Sequence, residues 1–77
     1  MTIIEAVSRR MSDVMEEKGF TPYLIHKQGG VAKSTISQVL NGTRKNIKIT
    51  TIHEMASTMG WTLDELFADP IFKDITD

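Results

Sequence analysis

Apolar residues at Ile4, Val7, Met11, Val14 and Met15 recur every three or four positions, the spacing that lines up one face of an α-helix. Thr2 stands three residues before Glu5, as in a capping box, and Gly19 can adopt the left-handed backbone that ends a helix. The first helix is therefore predicted to run from about Thr2 to Lys18. Thr21-Pro22 offers an N-cap followed by proline at the first helical position, and Phe20 is placed to staple onto Ile25, so a second helix spans about Pro22 to Gln28. Gly29-Gly30-Val31 is too short for a loop and too rich in glycine for a continuing helix. It predicts a tight turn that sets the next helix at a steep angle. A third helix then covers about Lys33 to Leu40, with Ile36, Val39 and Leu40 toward the core, and stops at Asn41-Gly42.

Beyond a basic loop from Thr43 to Lys48, the residues Ile52, Met55, Ala56 and Met59 mark a fourth helix. Thr51 and Glu54 have capping-box spacing for it, and Gly60 is its stop. Thr62 and Glu65 repeat that spacing for a fifth helix, with Trp61 placed to staple onto Leu66 and an end near Phe67 or Ala68, before Asp69-Pro70. No segment alternates apolar and polar residues long enough to compete as a strand. The predicted fold is all-α, with five helices in one compact domain over residues 1–68 and a tail over 69–77. Phe67, Ile71, Phe72 and Ile75 must pack on something, because their segment is too short to enclose them by itself. Folding back onto the first helix would suffice, but the expectation is a two-fold contact with a second copy of the chain.

Charge changes this picture from a fold to a surface. The net charge of -1 conceals a segregation: residues 1–17 carry four acids against two bases, residues 18–53 six bases and no acid, and residues 54–77 six acids against one base. Such a layout suits docking one face on a polyanion while the remainder stays acidic. Met11, Met15, Met55 and Met59 stand at helical spacing as core-filling residues, and the absence of Cys removes disulfides and thiolate metal sites. There is no apolar stretch approaching the roughly 20 residues that cross a bilayer, and no basic segment leading into an apolar run at the amino terminus. The cytoplasm is the expected location.

Within the acid-free window, the exposed amino-terminal face of the third helix would present Lys33, Ser34, Ser37 and Gln38 to base edges in a major groove. Gln38 can pair bidentately with adenine, Lys33 suits guanine O6 and N7, and the serines serve either bases or phosphates. Phosphate contacts are expected from Thr21 and Tyr23 with the backbone N–H groups of the second helix, from Thr35 and Asn41 on the third, and from Arg44, Lys45 and Lys48 in the loop. His26 is expected to fill space between the second and third helices, and His53 to lie on the surface of the fourth. Asp64 and Glu65 are explained by the helix dipole and by capping. No catalytic constellation and no metal or cofactor site is expected.

The order Thr21-Pro22-Tyr23, Gly30-Val31, Ser34-Thr35-Ile36-Ser37, Leu40-Asn41-Gly42, Ile52, Met55-Ala56, Met59-Gly60 and Leu66-Phe67 resembles the Cro and phage-repressor type helix-turn-helix family over about Ile4 to Phe67. Three positions depart from the family's pattern: His26 replaces a small residue, Ala32 a capping Ser or Thr, and Ile47 a loop proline. The resemblance implies a five-helix, lambda-repressor-like domain of bacterial or phage origin. Its expected function is a sequence-specific double-stranded DNA-binding regulator, a repressor acting as a homodimer on a pseudo-palindromic operator, with RNA polymerase or a toxin as further partners. An antitoxin-type DNA-binding subunit and a protein-interaction module for an acidic partner are the alternative readings.

Overall fold

A computed structural model describes residues 1–77, and three of its five helices start on a side-chain cap. Helix α1 (Ile3–Lys18) opens on the expected capping box: Thr2 Oγ1 accepts from the Glu5 N–H while Glu5 Oε1 accepts from the Thr2 N–H. It closes at Gly19 in the left-handed conformation. Helix α2 (Pro22–Gly29) is capped by Thr21 and followed by helix α3 (Lys33–Asn41), whose first turn has no side-chain cap because Ala32 stands at that position. Helix α5 (Leu63–Phe67) again opens on a complete capping box, formed by Thr62 and Glu65.

Helix α4 (Ile49–Thr58) departs from expectation. It begins on Lys48, with no side-chain cap, so Thr51 already lies in its first turn and the expected pair with Glu54 does not form. Ile47 packs against the core just ahead of it. That anchor brings the chain into helical register three residues earlier than the local signal implied.

The two glycines of the α2–α3 turn do different work. Gly30 adopts φ 73°, the left-handed conformation that a side chain resists. Gly29 remains helical, but a Cβ at this position would collide with Thr58 Oγ1 on α4. Glycine at 29 therefore sets how closely α2 approaches α4.

All five helices converge on one core, to which each gives at least one fully enclosed side chain: Met11, Ile25, Ile36, Met55 and Leu66 in chain order. No polar residue is buried with them. Truncating any of the five to Ala would cost about 2–5 kcal/mol, a large part of a small domain's stability. Packing of α3 on both α1 and α2, and of α2 on α4, fixes the turn unit within a body measuring 34 × 22 × 20 Å.

The tail takes the fold-back course. A 3-10 helix (Pro70–Asp74), capped by Asp69 Oδ1 accepting from the Ile71 N–H, lies against α1. Phe72 meets Phe67 edge-on, with ring centroids 4.9 Å apart, and both pack on the core. Farther on, the Thr76 N–H donates to the Met1 carbonyl at 3.0 Å and Asp77 Oδ1 accepts from the Ile3 N–H at 3.1 Å. Phe67, Ile71, Phe72 and Ile75 are thus half-buried within a single chain.

Arg10 ties this region together. Its Nε donates to the Leu66 carbonyl at 2.8 Å, Nη2 to the Glu65 carbonyl at 3.0 Å, and Nη1 faces Asp69 Oδ2 at 3.4 Å. A guanidinium at the carboxyl end of α5 satisfies carbonyls that the helix leaves open and opposes the negative end of its dipole. The same group lies 5.0 Å over the Trp61 ring.

Candidate nucleic-acid interface

Helix α3 has two faces of opposite character. Ile36 and Val39 are buried and Leu40 is half-buried, whereas Lys33, Ser34, Ser37, Gln38 and Asn41 are all exposed. Their spacing of one and four residues places these five polar groups on one continuous stripe. The four expected base-reading side chains are therefore brought together, and Asn41 joins them by donating from Nδ2 to Ser37 Oγ at 3.3 Å.

The amino-terminal ends of α2 and α3 lie beside this stripe. Tyr23 is 54% exposed, and its ring carries two cations, Lys33 Nζ at 5.4 Å and Lys27 Nζ at 5.9 Å. The expected supply of free N–H groups at the start of α2 is reduced, because Pro22 has none and Thr21 Oγ1 takes that of Leu24 at 3.2 Å. Thr21 and Tyr23 keep unpaired N–H groups. The uncapped start of α3 offers more: the N–H groups of Lys33, Ser34 and Thr35 have no partner in the fold. Such donors suit phosphate oxygens.

On the other flank is the basic loop. Lys45 and Lys48 are exposed, while Arg44 is half-buried and directed onto α3. It donates from Nη1 to Gln38 Oε1 at 3.1 Å and to Thr35 Oγ1 at 3.4 Å, and from Nε to the Asn46 carbonyl at 3.2 Å. Thr35 is itself half-buried at the edge of the polar stripe. Expected from sequence as a plain phosphate ligand, Arg44 is in fact bonded to the polar face of α3. Nothing in the composition of the loop signalled that bond, since it depends on the path of the chain after Gly42.

No cation of the window is neutralised. The molecule's single ion pair joins Arg10 to Asp69, so Lys27, Lys33, Arg44, Lys45 and Lys48 meet no carboxylate. His26 is half-buried between α2 and the turn, with Nδ1 2.8 Å from the Val31 carbonyl, the space-filling place expected of it. His53 is exposed on α4. The one concavity, a cleft of about 400 Å³ lined by Thr2, Ile4, Glu5, Gly42, Lys45 and Asp77, lies at the start of α1 rather than on α3.

No family model matches the chain, and no curated protein is significantly similar to it in sequence. Among solved structures, the fold is similar to that in the crystal structure of the prophage Lp1 protein 11. The two chains are 24% identical and superpose with a TM-score of 0.82, over 97% of this chain and 99% of that one. At this identity the likeness is one of fold. No helix of the chain is long and apolar enough to cross a membrane.

Proposed function

We propose that this chain is a sequence-specific double-stranded DNA-binding regulator that places α3 in the major groove and acts by occupying an operator, without catalysis. One observation carries the reading: an exposed polar stripe on a short helix, free of carboxylates and bordered on both sides by cations that the fold leaves unpaired. The cleft at the start of α1 takes in no residue of α3, which suits docking on a polymer better than enclosing a small ligand. Lys33, Ser34, Ser37 and Gln38 would meet base edges, and the unpaired N–H groups, Lys45 and Lys48 would hold phosphates and so fix the register.

The reading includes a homodimer on a pseudo-palindromic site. A helix of nine residues is roughly 13 Å long, so one copy spans one half-site, and two half-sites are centred about 34 Å apart. The tail packs on its own chain, so a dimer contact there would use only the surface of Phe67, Ile71, Phe72 and Ile75 that remains exposed. A fold shared with a prophage protein supports a phage or bacterial origin and a cytoplasmic setting. RNA polymerase or a toxin remain partners within this proposal.

Selection from a random duplex library tests it, with retention of an enriched motif as the expected result. Lys45→Ala and Lys48→Ala should then weaken all sequences about equally, each lowering the magnitude of the salt slope by about 0.9 for every phosphate it no longer neutralises. Recovery of no motif would overturn the proposal and leave the acidic-protein partner as the reading to pursue. Sedimentation of the chain as a monomer, both free and on a single operator, would overturn the dimer.

A further inference from the structure

A guanidinium has five N–H donors in a rigid planar fork, and the fold uses three of those on Arg44. Nε is taken by the Asn46 carbonyl, which holds the group against its own loop, and both hydrogens of Nη1 are directed at Thr35 Oγ1 and Gln38 Oε1. Only Nη2 is left without a protein partner.

This arrangement fixes which end of Gln38 is free. A guanidinium only donates, so the amide group facing it is the oxygen, and Nε2 is the end that no protein atom engages. A glutamine read in isolation pairs with adenine, accepting from N6 through Oε1 and donating to N7 through Nε2. Here one of the two lone pairs of Oε1 is already engaged by a charged donor, a bond roughly twice as strong as one between neutral groups, which leaves Oε1 the less available end for a base. The group presented to DNA is an NH₂, whose best partner is a base edge with acceptors only. Guanine offers N7 and O6 side by side, whereas adenine sets a donor beside its single acceptor. The positive charge of Arg44 next to that amide favours the same acceptor-rich edge.

We propose that Arg44 is a positioning residue that sets base choice, turning Gln38 into a donor that selects guanine. Its free Nη2 is available to the adjacent phosphate. This rests on the DNA-reading function above, deepens it at one base position, and replaces adenine as the partner expected from sequence.

The experiment combines library selection with nuclear magnetic resonance of the DNA-free chain. The position read by Gln38 is the one whose preference disappears in Gln38→Ala. There the wild-type chain should favour guanine over adenine by about tenfold. Arg44→Ala should bring the two bases within about threefold of each other or reverse them, with the rest of the motif unchanged. Arg44→Lys, which keeps the charge but lacks the fork, should change base choice in the same direction with a smaller loss of overall affinity. In the free protein, both variants should move the Gln38 side-chain amide resonances, a readout that needs no DNA and shows whether the variants are folded. A wild-type preference for adenine at that position would overturn the proposal while leaving DNA reading intact. Equal losses on both bases in Arg44→Ala, or Gln38 amide resonances that do not move, would do the same. An absence of any enriched motif would overturn DNA reading and this proposal with it.

Discussion

Helices α1 and α5 begin on threonines that close reciprocal bonds with a glutamate three residues on, whereas α3 and α4 begin on Ala32 and Lys48, which supply no acceptor. The capped pair belongs to the side on which the tail and Arg10 are bonded together. The uncapped pair brackets the basic loop. An N-cap adds about 1 kcal/mol of stability, so its absence at two successive helices leaves the domain less stable there and its backbone donors open. One side of the molecule satisfies its own polar groups, and the other leaves backbone donors without partners.

The two sides meet where α1 packs on α3 and α4 on α5, and α2 braces the uncapped side by packing on α4; the largest expected effect comes from breaking that brace. Gly29→Ala places a methyl group into Thr58 Oγ1 and should destabilise the domain by about 3 kcal/mol, measured by urea unfolding. Adding Thr58→Ala should restore part of the loss, because the nearest remaining atom, Thr58 Cβ, stands 3.2 Å from where the new methyl carbon would lie. Simple additivity of the two substitutions would show that the steric account of Gly29 is mistaken.

Next in size is the clamp on the self-satisfied side. Arg10→Ala removes two charge-assisted bonds to the end of α5 and the ion pair with Asp69, at a cost of about 2 kcal/mol given that the side chain is 14% exposed. Arg10→Lys should recover little, since a point charge cannot span both carbonyls. Trp61 fluorescence reports the change locally, and DNA affinity measured on folded protein should hardly alter. A drop in affinity beyond that caused by the smaller folded fraction would mean that the two sides are coupled.

The smallest effects are the most discriminating. Thr62→Ala should cost about 1 kcal/mol of stability and leave DNA binding unchanged. Ala32→Asp should do the reverse, adding about 1 kcal/mol by capping α3 while lowering DNA affinity by about tenfold or more, because a carboxylate then occupies the donors proposed to hold phosphate. Thermal melts and titrations of a selected operator give both quantities. If Ala32→Asp bound DNA as tightly as the wild-type chain, the open start of α3 would have no part in binding.

Much of the fold was legible because its signals are local. The apolar stripe of α1, the left-handed stop at Gly19, the Thr21-Pro22 start of α2 and both working capping boxes depend on residues no more than a few positions apart. The pattern on α3 also separated Ile36 and Val39 from Lys33, Ser34, Ser37 and Gln38, because helical period alone decides which side chains share a face. Thr51 and Glu54 mark where such reading ends: the spacing of a capping box also occurs inside helices, and the point at which the loop enters α4 decides whether it serves as a cap.

What the sequence by itself determined is therefore the all-α class, the order of the helices, the acid-free surface segment and the polar face of α3. Tertiary structure alone decided the rest: the approach of Gly29 to Thr58, the grip of Arg10 on residues more than fifty positions away, the return of the tail onto α1, and the bond from Arg44 that turns the Gln38 amide. The division has a physical cause. Backbone capping and helical period are properties of a few consecutive residues, but a meeting of distant groups exists only once the core has fixed where each helix lies.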